Sequence, residues 1–455
     1  MLLSATFFAS LLLCSTFTNV SALTGIKVCL KYQCKEPTVD DPKLKVAIVY
    51  QGNSTSDLKQ IDHHLFPVTK MAFLGYDDIL LLGKNDGRVL RIANHTVLPN
   101  ALLDVGVANK WERGLLGIAI LKDAGRAYVF FYYTESNGGD GTDICPTIYC
   151  LPSATDPSNN KLYRYELKNS RLINPKLLFC TPASNVASHI GGALEVGPDK
   201  NIYVIVGDFH GNYNKTTSTM ALNFRKGGFP DGRAGILRFT PEGKAVGHGI
   251  LGERYPLDLY YAYGIRNGYG FDFDPVSGRL WDTENGPEFG DEINLVEPGF
   301  NSGWKTIQGI WQGRNLMKIG KVVLNEPDHG LVNFGGKGEY SAPELVWNDT
   351  IAPTALRFLN SDKLGKEYEN DMFVASTKGQ IYHFDLNENR TGLSLPPVLA
   401  DKLVNTKNET QNVIFARGLG KITDIKVGPD GNLYILSGYF GKPTIFRISR
   451  IVETK

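Results

Sequence analysis

Three segments carry residues whose types and spacing could do chemistry. The first begins at His189-Ile190-Gly191-Gly192 and ends at Gly207-Asp208. Pro198-Asp199 sits midway and suits the centre of a turn, because proline's fixed φ matches that position. Folding the segment about this turn sets His189 opposite Asp208 at one end of a hairpin, give or take a bulge. An imidazole oriented by a carboxylate is what a general base requires. A plain structural His–Asp hydrogen bond would look the same in sequence. The second segment, Tyr263-Gly264-Ile265-Arg266-Asn267-Gly268-Tyr269-Gly270, places an Arg–Asn pair among glycines. Such glycines let backbone approach a ligand while the side chains donate to it, although an arginine in a glycine-rich turn is often only solvated. The third, residues 281–292, holds Asp282, Glu284, Glu288, Asp291 and Glu292 around Gly286-Pro287. It offers oxygen ligands for a hard cation such as Ca²⁺ without matching an EF-hand loop. An acidic surface turn is the alternative.

These segments need a scaffold, and the repeats identify one. A short apolar run ending in glycine or a small polar residue recurs at residues 79–83, 128–133, 202–208, 280–286, 372–377 and 433–438. A second unit, two apolar residues, a polar one and another apolar, follows at 89–92, 162–165, 236–239, 381–384 and 445–448, with a poor copy at 293–296. The first unit is apolar on both faces and must lie between two layers. The second alternates, as a strand nearer a rim does. Six sheets, each sandwiched between neighbours, predict an all-β fold: a six-bladed β-propeller of mostly four-stranded antiparallel blades. Each unit spans about 72 residues, longer than common propeller repeats, so inserted loops must decorate the ring. Residues 45–50 read as a strand that closes the ring by joining the last blade.

Residues 2–13 are apolar or small, no charge precedes Lys27, and Val20-Ser21-Ala22 has the small-residue pattern of a leader cleavage site. The expectation is an exported chain with a signal peptide over 1–22, or a membrane anchor if that segment is retained. A cysteine-containing segment follows over 23–42, and the propeller occupies 43–455. Cys29/Cys34 and Cys145/Cys150 share a C-x4-C spacing suited to small disulfide loops in an oxidising compartment, leaving Cys180 over. A formal net charge of +1 supplies no field for nucleic acid.

Taken in order, the motifs resemble those of the soluble pyrroloquinoline-quinone (PQQ)-dependent glucose/sorbosone (aldose sugar) dehydrogenase family. The resemblance rests on Glu112-Arg113-Gly114-Leu115-Leu116-Gly117, His189-Ile190-Gly191-Gly192 with Gly207-Asp208, and Gly264-Ile265-Arg266-Asn267. It continues through Glu284-Asn285-Gly286-Pro287 with Asp291-Glu292-Ile293-Asn294, and Asn301-Ser302-Gly303-Trp304. It implies an oxidoreductase acting on aldose sugars at C1, or on related alcohols, with PQQ and Ca²⁺ as cofactors and an unidentified electron acceptor. By the same resemblance His189 is the base, Asp208 orients it, and Arg266 stabilises charge on the quinone. Asn267, Lys378 and Lys421 contact PQQ, Glu112 lies by the substrate, and main-chain carbonyls of Gly286 and Pro287 hold the Ca²⁺. Three departures stand out. The family's R-x-R-D reads Lys421-Ile422-Thr423-Asp424, the arginine after H-x-G-G is Ala193, and the proline after R-N is Gly268. Lysine does not replace arginine at a bidentate carboxylate site. Two other functions fit the fold: a non-enzymatic extracellular propeller that binds a protein or glycan, and a Ca²⁺-dependent hydrolase of the lactonase kind.

Overall fold

The computed structural model describes residues 28–30, 33–52, 67–136, 159–183, 187–209, 218–310, 331–438 and 442–452. The leader, Cys145 and Cys150 lie outside them. Strands dominate, and the chain is an all-β propeller. Every residue of Ile202–Val206, Leu280–Glu284, Met372–Ser376 and Leu433–Ser437 is buried. This is the two-sided burial their unbroken apolar runs demand.

Six sheets of four or more strands follow one another along the chain. Their first strands are Val68–Gly75, Leu115–Asp123, Gly191–Val196, Gly268–Phe273, Pro353–Phe358 and Ile422–Val427. Each packs against the first strand of the next sheet, and the last against the first, so these strands ring a central axis. The apolar runs form the second strands and the alternating units the third. Even the poor copy at 293–296 lies in a third strand, Asp291–Val296. Leu44–Gln51 pairs antiparallel with Thr444–Arg450 and completes the last sheet, joining the two ends of the ring.

The expectation of mostly four-stranded blades needs correction, because only two of these sheets stop at four strands. Two- and three-residue strands from inserted loops extend the others: Phe300–Asn301 and Glu339–Tyr340 on the third, Leu403–Val404 on the fourth. Thr38–Val39, from ahead of the ring, caps the fifth. Such pieces satisfy outer-edge donors and acceptors that would otherwise pair with another chain. Val28–Leu30 pairs with Gln33–Lys35 so that Cys29 stands opposite Cys34 in register.

Charged side chains close one side of the axis. Lys70 Nζ donates to the carbonyls of Tyr269 (2.8 Å), Thr354 (3.1 Å) and Thr423 (3.3 Å), tying three inner strands together. Beside it Glu195 accepts from Arg357 and Lys426, and Arg357 lies 3.0 Å from Asp272. Only about 10 Å³ of space remains among these groups. Burial pushes the Lys70 ammonium below its usual range, partly offset by Asp424.

Candidate active site

The hairpin that carries His189 turns at Gly197-Pro198-Asp199-Lys200, where the Lys200 amide donates to the Gly197 carbonyl at 2.9 Å. Pairing runs Val196 with Ile202, Glu195 with Tyr203 and Leu194 with Val204. It then shifts through a bulge, so that Gly191 faces Val206. The bulge needs the paired glycines: Gly191 and Gly192 have φ of 71° and 108°, and a Cβ on Gly192 would fall 2.6 Å from Leu116 Cβ. Beyond it, the Phe209 amide donates to the His189 carbonyl, and His189 itself adopts φ 58°.

His189 and Asp208 meet at the end of this hairpin. Nδ1 of His189 lies 2.7 Å from Asp208 Oδ1, and Trp304 Nε1 donates to Asp208 Oδ2 at 2.6 Å. Asp208 is fully buried and His189 nearly so. An ionised Asp208 keeps the proton on Nδ1, which makes Nε2 the basic atom of the ring. The Asp208 amide donates to the Arg266 carbonyl at 2.9 Å, bringing the glycine-rich turn alongside. Arg266 is buried, donates from Nη1 to the Asn285 carbonyl at 2.6 Å, and stacks 5.4 Å from the Trp304 ring. Its Nε has no hydrogen-bond partner among the described residues, and neither do Asn267 Oδ1 and Asn285 Oδ1.

Glu112 ties these pieces together. Its Oε2 accepts from the His189 amide (2.5 Å), Asn267 Nδ2 (3.3 Å) and the Tyr269 hydroxyl. Oε1 makes no hydrogen bond among the described residues. Glu112 lines a cavity of about 300 Å³ together with Thr69, Lys84, Tyr269, Asn285 and Lys421, and Lys70 and Thr423 also reach its wall. Lys84 is buried and donates to Asn85 Oδ1 (2.9 Å) and the Asn109 carbonyl (3.2 Å). Burial pushes its pKa down to about 7 against the pull of Glu112.

Two expected contacts fall elsewhere. Lys378 is exposed, donates to the Thr350 carbonyl and lies in a separate groove with Trp347 and Tyr382, while its neighbour Thr377 lines the cavity. Both residues lie in the turn that follows the strand Met372–Ser376, and that turn presents Thr377 to the cavity and Lys378 to the separate groove. The carboxylates of 281–292 do not converge on a cation either. Asp291 is spent on the Gly286, Ile351 and Ala352 amides and the Thr350 hydroxyl. Asp282, Glu284 and Glu292 are buried within the sheet, where Glu284 pairs with Glu292 and Asp282 with Asn294. Burial raises Glu284 to about 7, and lifts Asp282 and Glu292 well above the carboxylate range, with Glu284's charge adding to both. The carbonyls of Gly286 and Pro287 follow directly on cavity-lining Asn285.

The departures from the motif pattern also find their places. Thr423 and Lys421 both line the cavity. Ala193 instead borders the small space beside Lys70, Arg357 and Lys426, which is already cationic. Gly268 opens an inner strand and pairs with Glu284. Lys84, Lys70 and Tyr269 were not singled out from sequence. Trp304 was visible only as part of a motif, without a role. Lys84 did leave a trace, since Gly83-Lys84 ends the first apolar run where Gly207-Asp208 ends the third.

The glucose/sorbosone dehydrogenase family profile matches residues 67–442. A quinoprotein glucose dehydrogenase of Acinetobacter calcoaceticus is 30% identical over 395 residues, 72% of this chain and 74% of that protein. An aldose sugar dehydrogenase of Escherichia coli is 26% identical over 267 residues, 56% of this chain, and the match spans 59% of that protein's length. The PQQ-bound aldose sugar dehydrogenase of Streptomyces coelicolor superposes with a TM-score of 0.58 at 20% identity, covering 91% of this chain and all of that one. At that identity the superposition speaks for the fold.

Proposed function

The chain belongs to the glucose/sorbosone dehydrogenase family, and from this we propose that it is a PQQ-dependent oxidoreductase that oxidises aldose sugars or related alcohols in the cavity beside His189. One observation carries the reading: Glu112, which lines a cavity with Lys84, Lys421 and Lys70, accepts from the backbone amide of His189, and that imidazole ends a buried Trp304–Asp208–His189 chain. The same residues fit a planar tricarboxylate quinone. Arg266 Nε, Asn267 Oδ1 and Asn285 Oδ1 are buried polar atoms without a hydrogen-bond partner among the described residues. Leaving such atoms unpaired costs about 1–3 kcal/mol each, and a polar ligand would remove that cost. Lys84 and Lys421 would hold carboxylates, and Lys84 would bind more firmly once an anion restores its charge. When bound, PQQ supplies the two-electron acceptor that the side chains lack.

The protein's own residues then handle the proton and the substrate. His189 Nε2 takes the C1 hydroxyl proton, and Asp208 stabilises the imidazolium that forms while fixing the ring. Glu112, held through Oε2, keeps Oε1 for a substrate hydroxyl. Arg266, anchored by Asn285 and Trp304, offers a fixed positive charge against developing negative charge. Ca²⁺ would be held by the carbonyls of Gly286 and Pro287.

In this reading each of the six sheets is one blade. Residues 1–22 direct export, or anchor the chain if they are retained. Cys29 and Cys34 close a small disulfide loop, and the segment over 23–42 precedes a propeller domain over 43–455. Exposed Asn94, Asn389 and Asn408, each in an N-x-[ST] sequon, suit an extracytoplasmic surface. The test is an equilibrium titration of the purified chain with PQQ in the presence of Ca²⁺. Saturable one-to-one binding that Arg266→Ala and Lys421→Ala both weaken supports the proposal. A folded chain that does not bind PQQ would make this a binding propeller instead.

A further inference from the structure

On the fifth sheet, away from the cavity wall, three potential metal ligands converge. His383 and Asp385 are two residues apart on the strand Ile381–Leu386, so they share a face. Pairing of Phe373 with His383 and of Met372 with Phe384 carries Asp371 to the position opposite Asp385 on that same face. His383 Nε2 lies 2.9 Å from Asp371 Oδ2 and 3.5 Å from Asp385 Oδ1, and one ligand atom from each residue lies within 4.8 Å of the other two. Zn²⁺ bonds of about 2.0–2.1 Å to nitrogen and oxygen give a tetrahedral edge of about 3.3 Å. The two separations from His383 Nε2 bracket that edge, and the third pair of ligand atoms also lies within 4.8 Å.

The surroundings favour a cation here. Among the described residues no lysine or arginine makes an ion pair with Asp371 or Asp385, so two carboxylates share one imidazole. The imidazole is held by ring packing against Phe373 (5.1 Å), Tyr368 (5.2 Å) and Phe415 (6.1 Å). The Asp385 side chain is 60% exposed, which leaves an entry path and room for a water ligand. An imidazole with two carboxylates suits Zn²⁺ or Co²⁺ better than a hard cation that takes only oxygen.

We propose that Asp371, His383 and Asp385 form a Zn²⁺-class binding site on the fifth sheet, independent of the cavity and its cofactors. The test is calorimetric titration of the chelator-stripped full chain with Zn²⁺ in excess Ca²⁺, with Co²⁺ absorption as a second readout of the ligand set. One Zn²⁺ per chain, visible Co²⁺ bands, and loss of about tenfold or more in affinity in both Asp385→Asn and His383→Gln are the expected results. Asp385→Asn changes an exposed side chain and keeps the fold readable even if His383→Gln loosens the ring packing. Absence of saturable Zn²⁺ binding, or either folded variant binding as wild type does, would overturn the proposal and leave an imidazole lying between two carboxylates.

Discussion

Asp208→Asn is the most informative single change. Asp208 is fully buried, and among the described residues its oxygens face His189 Nδ1 at 2.7 Å and Trp304 Nε1 at 2.6 Å, one donor on each oxygen. An asparagine has one carbonyl oxygen, so it can serve only one of these donors while its NH₂ faces the other. If the oxygen stays with Trp304, His189 relieves the clash by moving its proton to Nε2, and the basic atom is lost. If it stays with His189, the indole N–H is left unpaired in a dry site. The first outcome resembles the wrong-tautomer defect of a triad aspartate, worth up to about 10⁴ in kcat. A positioned general base contributes about 10²–10⁴, so a fall of about 10²–10⁴-fold, or roughly 3–5.5 kcal/mol of barrier, is expected. Stability should fall as well, by about 1.5–3 kcal/mol for a hydrogen bond to a charged group. The assay is steady-state dye reduction with PQQ and Ca²⁺ supplied, alongside urea unfolding of the same preparation. A folded Asp208→Asn protein that keeps kcat within about threefold of wild type would refute the assignment of His189 as the base.

Other predictions are read from stability and binding. Lys84 titrates near 7 in the folded chain and near 10.5 when unfolded. The unfolded state therefore carries more protons between those values, and stability should rise with pH there by up to about 1.4 kcal/mol per pH unit. Lys84→Met should flatten that rise in urea unfolding between pH 7 and 9.5 and weaken PQQ binding, and an unchanged slope would contradict the burial argument. Asp282 is buried, neither oxygen meets hydrogen-bond geometry among the described residues although Asn294 stands opposite, and its pKa is raised by burial and then by Glu284. Its contribution is favourable at low pH and is lost as pH climbs through the folded-state value. Asp282→Asn should thus raise the melting temperature more at pH 8 than at pH 5, and an equal shift at both would argue against it. Lys378→Ala should leave PQQ affinity within about threefold, whereas Lys421→Ala should cost about tenfold or more, as loss of a charge-assisted contact does. The opposite order would return Lys378 to the cofactor site.

The propeller was legible because burial between layers leaves an unbroken apolar run that periodicity detects, as in Ile202–Val206 and Leu433–Ser437. The ring-closing strand Leu44–Gln51 was legible for a related reason: its apolar residues sit ahead of the first repeat with no sheet of their own. The short edge strands were not. A two-residue pair such as Phe300–Asn301 has no period to read, and only the shape of the ring brings it to an edge. The facing of His189 and Asp208 followed from one turn, and the glycine bulge supplied the shift that uniform pairing omits. Lys378 misled because a motif gives a position in the chain but not the direction a turn residue takes, and the turn after Met372–Ser376 aims it at the separate groove. The carboxylates of 281–292 misled in a different way: Asp282, Glu284 and Glu292 share one buried sheet face, where burial and then Glu284's charge raise the other two, and Asp291 is taken up by backbone amides. The network of Lys70, Glu195, Arg357 and Lys426 joins four inner strands distant in sequence, and no local pattern announces it.

The central claim, sugar oxidation by a bound quinone with His189 as base, is tested most directly by reconstitution. The purified chain would be given PQQ and Ca²⁺, then a panel of aldoses with an artificial dye as acceptor. The account predicts dye reduction that requires PQQ and sugar and that disappears in His189→Ala while PQQ still binds. Undiminished turnover in His189→Ala, or no turnover by a wild-type chain saturated with PQQ across the whole panel, would contradict it.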